Sequence, residues 1–319
     1  MTACSPQATP SVVIPVTGDL HTHDPGLVVG DGDRPWFAFS TGDPHVAGGA
    51  IQVRTSPDGV DWAYAGEAWD DATKPAWVKE KVPGVTNYWA PEVVERDGTW
   101  YLYYAASTFG SNRSVIGLRT TPSLNPDDPG AGWTDQGEVV RSHAAKDYNA
   151  IDPAVLFDAD DRAWLAFGSF WGGIQLVELD FPSGKPREGA TPVTIAHRGT
   201  SPNAIEAPAL LRRGDRYYLF VSFDSCCQGQ DSTYNINVGR ADAPEGPYLD
   251  ADGVPLTEGG GTLLLATEGN RIGPGGQSVS GDHIAFHYYS AEKGGDFQLD
   301  IRRLGWTADG WPVVQGPDA

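Results

Sequence analysis

Three carboxylates stand at matching places in a recurring pattern. Asp24 and Asp152 each directly precede a proline, Pro25 and Pro153, and Glu206 precedes Pro208 with only Ala207 between. Each proline opens a short apolar run. Like charges gathered in one cavity are costly unless one of them keeps its proton. Two carboxyls with pKa values pushed apart make an acid–base pair, the equipment of glycoside hydrolysis. A single Asp-Pro pair opens turns without doing any chemistry. Three acids in register point to a site.

Their register depends on the elements around them. The stretch from Asn149 to Ser169 runs from Asp152-Pro153 through an apolar segment, an acidic turn (Asp158, Asp160, Asp161) and a second apolar segment, Trp164 to Phe167. This is the signature of a β-hairpin. The chain repeats it from Asp24-Pro25 into Trp36–Ser40, from Ala90-Pro91 into Trp100–Tyr104, from Ala207-Pro208 into Tyr217–Phe220, and more loosely from Ser278-Val279 into Ile284–Tyr289. Five strand-rich units, about 60 residues each, predict an all-β, five-bladed β-propeller. The first strand of each blade lines the central channel, so acids entering it converge on one funnel. Glu92 follows its proline, and strand alternation points it away from the channel, as a structural residue or as one that supports the acids from behind. The turn acids Asp31, Asp33, Asp97, Asp158, Asp160, Asp161 and Asp215 read as solvated hairpin residues.

Residues 17–319 are expected to form one propeller domain. Residues 1–16, rich in Pro, Ser, Thr and Ala, read as a flexible lead-in. Thr2-Ala3-Cys4 is similar to the end of a bacterial lipoprotein signal, with Cys4 as the residue to be lipidated. A formal net charge of −20 excludes nucleic acid as a partner and disfavours anionic lipid. No apolar run reaches ~18 residues, so no transmembrane helix is expected.

The chain carries 11 Trp, 12 Tyr and 11 Phe, most of which a propeller buries between blades. Trp89, Phe170 and Trp171, with Ser169 beside them, lie where strands enter the funnel and are candidate sugar contacts. Cys226 and Cys227 are adjacent and form either a vicinal disulfide or two buried thiols. No C-x-x-C spacing exists for zinc. His287, mid-strand in the last repeat, is either a satisfied structural residue or a metal ligand on the channel axis.

The motifs together resemble glycoside hydrolase family 43, most closely its arabinan-degrading branch. The resemblance runs from about His23 to Val314. It rests on His23-Asp24-Pro25, Trp89-Ala90-Pro91-Glu92, Ile151-Asp152-Pro153, Phe167-Gly168-Ser169, Ile205-Glu206-Ala207-Pro208, Ser225-Cys226-Cys227-Gln228-Gly229 and Ser232-Thr233-Tyr234. It implies a five-bladed propeller that hydrolyses with inversion. Asp24 is then the general base, Glu206 the general acid, and Asp152 the residue that raises and orients the acid. The implied substrate is α-1,5-linked L-arabinan or arabino-oligosaccharides, with endo action favoured and secretion expected. The resemblance also implies a calcium ion in the channel held through His287 and waters. One departure stands out: arabinanases commonly carry a His after the Gly-Pro-Gly turn, and here Gly273-Pro274-Gly275 is followed by Gly276-Gln277. Exo-acting α-L-arabinofuranosidase, β-xylosidase and a non-catalytic sugar-binding propeller remain as alternative readings.

Overall fold

The computed structural model describes residues 8–70 and 72–314. Five antiparallel sheets are arranged as blades. Blade one holds, from the channel outward, Gly26–Val28, Trp36–Ser40, Gln52–Ser56 and Asp61–Glu67, with Thr17–Gly18 added in parallel at its edge. Blade two holds Trp89–Arg96, Thr99–Ala106, Val115–Thr121 and Thr134–Arg141. Blade three holds Ala154–Phe157, Ala163–Phe167 and Ile174–Asp180, with Lys185–Pro186 and Val193–Ala196 both paired to the third strand. Ile205–Arg213, Arg216–Phe223, Asn235–Ala241 and Thr262–Leu265 make blade four. Blade five holds Arg271–Ser280, His283–Ser290 and Asp296–Arg303. Each innermost strand contacts the innermost strands of the blades on either side, including the fifth against the first.

The fourth strand of blade five comes from the other end of the chain. Val12–Ile14 pairs antiparallel with Ile301–Arg303, and Thr9 bridges Trp306. This corrects the expected flexible lead-in over residues 1–16. Residues 9–14 are tied into sheet and close the propeller, because the outer edge of Asp296–Arg303 leaves unpaired backbone groups that a strand from elsewhere must satisfy. Cys4 lies outside the described residues. A short helix, Ala76–Lys81, interrupts the strands between blades one and two.

The core lies between blades rather than at the centre. Phe37, Phe39, Trp69, Tyr88 and Tyr104 fill the interface of blades one and two. Further apolar clusters join blades two and three around Tyr103 and Phe167, three and four around Trp164 and Tyr248, four and five around Phe220 and Phe286, and five and one around Trp62 and Leu299. Flat sheets twisted against one another need large, rigid side chains at these seams, which accounts for the aromatic load. What remains at the axis is a narrow polar channel.

The repeat is sharpest where the chain enters that channel. Asp24, Ala90, Asp152, Ala207 and Gly276 occupy equivalent corners, with φ of 51°, 40°, 57°, 50° and 59°. Left-handed backbone at a non-glycine residue costs on the order of 1 kcal/mol or more unless its surroundings fix it. Four of these corners hand their N–H to the preceding blade: Asp24 to His287 Nδ1, Ala90 to Thr41 Oγ1, Ala207 to Asp152 Oδ2 and Gly276 to Ser222 Oγ. Neighbouring blades thereby lock each other's corners.

Candidate active site

Above the channel lies a cleft of about 1020 Å³, walled by residues from all five blades, and Asp24, Asp152 and Glu206 line its floor. Asp24 and Asp152 enter from their corners. Glu206 stands one residue before its corner, and a bulge between Glu206 and Ala209 re-aims its side chain into the same space. The three expected acids are brought together.

Different hydrogen-bond donors make them chemically unequal. Asp24 Oδ2 accepts from His23 Nδ1 at 2.8 Å and from Thr41 Oγ1 at 2.7 Å. The His287 ring nitrogen Nδ1 lies 3.5 Å from its Oδ1. Burial drives the Asp24 pKa up, but His23 and the Thr41 hydroxyl outweigh it and hold the carboxyl down at about 2. Asp24 is an anion at any working pH, with one oxygen fixed and one available.

Glu206 and Asp152 go the other way. Burial raises Glu206, against the Ser169 and Tyr234 hydroxyls that donate to its Oε2 and Oε1 at 2.7 and 2.8 Å. Burial, followed by the charges of Glu206 and Asp24, pushes Asp152 well above the carboxylate range. The two buried carboxyls act as a pair that retains a proton. One anionic carboxylate facing a protonated pair is the pattern of acid–base catalysis.

The profile of glycosyl hydrolases family 43 matches residues 14–312. The chain belongs to glycosyl hydrolase family 43. It is 41% identical over 292 residues to an extracellular endo-α-(1→5)-L-arabinanase of Bacillus subtilis, covering 91% of this chain and 86% of that one. An extracellular exo-α-(1→5)-L-arabinofuranosidase of Cellvibrio japonicus is 38% identical over 310 residues, covering 92% of this chain and 86% of the relative. Among solved structures, the endo-arabinanase of Bacillus licheniformis superposes with a TM-score of 0.87 at 39% identity, covering 94% of this chain and all of the other. This family 43 member is a glycoside hydrolase.

Trp89, Phe170 and Trp171 all line the cleft. Phe170 and Trp171 hold left-handed backbone, and Asn203 Nδ2 pins both their carbonyls at 3.1 and 2.9 Å. Ser169 is also on the wall, but it is buried and its hydroxyl is committed to Glu206. That hydrogen bond orients the Glu206 carboxyl. Sequence reasoning gave no role to His23, Thr41 or Tyr234. Only the His23-Asp24 adjacency and the Ser232-Thr233-Tyr234 motif marked two of them.

Glu92 departs from expectation. A bulge between Trp89 and Glu92 resets the alternation, so Glu92 borders a small channel cavity of about 30 Å³ below the corners. There it accepts the Val155 N–H at 3.2 Å, a tie from blade two to blade three. Ser278, one residue after Gln277 in blade five, ties Leu27 of blade one in the same manner. Cys226 and Cys227 form a disulfide on the cleft wall.

His287 is fully buried. Ligand atoms of His23, Asp24 and His287 lie within 4.8 Å of one another, yet they do not fit calcium. His287 Nδ1 accepts the Asp24 N–H, and burial keeps the imidazole neutral. Its proton is therefore on Nε2, which has no hydrogen-bond partner and offers an N–H where a ligand needs a lone pair. His23 and Asp24 are engaged with each other, so neither adds to the single imidazole and waters that the resemblance implied for calcium, an ion that takes six to eight oxygens. Gly276 adds nothing: a Cβ there would lie 2.4 Å from Asp24 Oδ1, so the corner next to Asp24 admits no side chain as the backbone stands.

Proposed function

We propose that the protein hydrolyses α-1,5-linked L-arabinan and arabino-oligosaccharides with inversion at the anomeric carbon, and that it acts within chains. The observation that carries this reading is the splitting of three clustered carboxyls into one anion and one proton-holding pair. Relatives named as arabinanases supply the substrate class, and the cleft spans all five blades.

In this mechanism Asp24 is the general base. Its Oδ2 is immobilised by His23 and Thr41, which leaves Oδ1 to take a proton from the attacking water. Glu206 is the general acid and protonates the leaving glycosidic oxygen from the opposite side of the scissile bond. Ser169 and Tyr234 aim it. Asp152 keeps a proton on the pair at neutral pH by adding a second negative charge to the same dry pocket. Trp89, Phe170 and Trp171 offer aromatic faces to the apolar C–H faces of furanose rings.

The relatives named as extracellular, together with a disulfide at the cleft, support action outside the cell. No helix among the described residues is long and apolar enough to cross a membrane.

Asp24→Asn and Glu206→Gln are each expected to lower kcat on debranched arabinan by at least about a thousandfold while thermal unfolding is retained. Proton NMR of early product should show the β-anomer first. Activity surviving in either variant, or α-anomer first, overturns the assignment. Because one relative is named as exo-acting, product length is measured in the same assay. A ladder of oligomers supports endo action, and monosaccharide alone supports the arabinofuranosidase reading.

A further inference from the structure

The loop that carries Cys226 and Cys227 reaches the catalytic base through two side chains. The Cys227 N–H donates to Tyr289 Oη at 2.7 Å, Tyr289 Oη lies 3.1 Å from His23 Nε2, and His23 Nδ1 lies 2.8 Å from Asp24 Oδ2. Cys227 Sγ itself stands 3.8 Å from His23 Nε2. We propose that the Cys226–Cys227 disulfide is a positioning element for the catalytic base, acting by holding the Cys227 amide on a Tyr289–His23–Asp24 relay.

Donor and acceptor roles follow along the relay. A backbone N–H can only donate, so it occupies a lone pair of the Tyr289 oxygen and leaves the hydroxyl proton to its two side-chain neighbours, His23 Nε2 and Ser232; the relay is the arrangement in which His23 Nε2 takes it. An Nε2 that accepts leaves the imidazole proton on Nδ1, where it donates to the carboxylate. In the opposite tautomer Nδ1 would present a lone pair to the Asp24 anion, and the base would lose one of its two fixing donors. Stacking does not decide between the tautomers. The His23 ring lies flat on His287, with centroids 3.7 Å apart, and edge-on to Phe297 at 5.0 Å. These contacts set the plane of the ring but not which nitrogen carries the proton.

The amide stays in place only while the loop keeps an uncommon shape. Cys227 has φ +65°, a region that non-glycine residues other than Asn and Asp seldom occupy. The base of the loop is fastened by Thr233 N to Ser225 O, Ser225 N to Thr233 Oγ1 and Gln228 N to Ser232 Oγ. Between these fastenings the disulfide ring is what holds residues 226 and 227. Opening it lets Cys227 relax and withdraws its N–H from Tyr289. The proposal rests on Asp24 being the general base.

Four forms of the full chain test it: wild type, wild type treated with dithiothreitol, Cys226→Ser/Cys227→Ser, and Tyr289→Phe. Dithiothreitol supplies two electrons and two protons; the S–S bond breaks, two thiols form, and the reagent closes to its cyclic disulfide. On a linear arabino-oligosaccharide, each perturbation is expected to lower kcat about tenfold with KM within about twofold. Reoxidation should restore the reduced wild type, and the double Ser variant should ignore dithiothreitol. The ¹⁵N shifts of the His23 ring should move away from the pure Nδ1–H tautomer in all three perturbed forms. An unchanged kcat, a raised KM at constant kcat, or an unmoved His23 signature overturns the proposal; the second outcome makes the disulfide a wall for sugar instead. Should the double Ser variant fail to fold, the dithiothreitol and Tyr289→Phe arms decide. Activity retained by Asp24→Asn would sink the base assignment, whereas the His23 signature reports on the relay alone.

Discussion

Glu92 makes the energetics of the channel measurable. Burial pushes its carboxyl from an ordinary 4.5 up to about 8, with only the Val155 and Val93 N–H groups opposing, and no charged group among the causes. Because the folded pKa is raised, the penalty is absent below the unfolded value, grows as the unfolded chain gives up its proton first, and is complete above the folded value. Each pH unit in that window is worth about 1.4 kcal/mol. Between pH 5 and pH 8 full linkage amounts to about 3.5 kcal/mol of stability lost. The cavity of about 30 Å³ beside Glu92 has room for one or two waters, which solvate the carboxylate and take back part of this. We expect about 2 kcal/mol. Glu92→Gln keeps an oxygen for the Val155 N–H and cannot ionise. Its advantage over wild type in urea unfolding, followed by tryptophan fluorescence at pH 5, 6, 7 and 8, should therefore grow steadily with pH. All other titrations cancel in that difference. An advantage that changes by less than about 0.5 kcal/mol across the range refutes the idea that Glu92 sits protonated in the channel.

If Glu206 is the general acid as proposed, two substitutions around it should move the high-pH limb of kcat/KM, where it loses its proton, in opposite directions. Asp152→Asn removes the carboxyl that shares a proton with Glu206, so Glu206 alone should ionise more readily and activity should fall away at lower pH than in wild type. Tyr234→Phe removes a donor that favours the Glu206 anion, so the same limb should move to higher pH, with kcat reduced about tenfold by the lost aim of the acid; shifts of the same sign would refute the roles. Since the channel donors do not fit calcium, dialysis against a chelator should leave kcat/KM within about twofold and the unfolding temperature unchanged, and a loss restored by added calcium would show that the His287 ring reorients to bind it.

The propeller was legible because its repeat is local. Each blade announces its first hairpin by a corner residue, an apolar run and a polar turn, and these signals lie within about twenty residues of one another. Convergence of Asp24 and Asp152 follows from that repeat, and Glu206 joins them through a bulge. Their division of labour does not follow from the repeat, because it is decided by donors that come from elsewhere. Thr41 and His23 make Asp24 an anion, and Ser169 of blade three and Tyr234 of blade four aim Glu206. Apart from His23, the chain neighbour of Asp24, no spacing rule links those residues to the acids they serve. Alternation failed at Glu92 for a related reason: the bulge that turns blade two into the channel inserts a residue and shifts the phase of everything after it. A bulge of the same kind rescues Glu206, which counts as one residue out of register in sequence and yet enters the cleft. The closing strand Val12–Ile14 shows the limit most plainly. Three β-branched residues between Ser11 and Pro15 favour a strand but make too short a run to announce one, and their place is fixed by the open edge of Ile301–Arg303 at the other end of the chain. What sequence pattern misses here is therefore of one kind: contacts whose partner is remote in the chain and whose geometry is set by an irregular corner rather than a regular period.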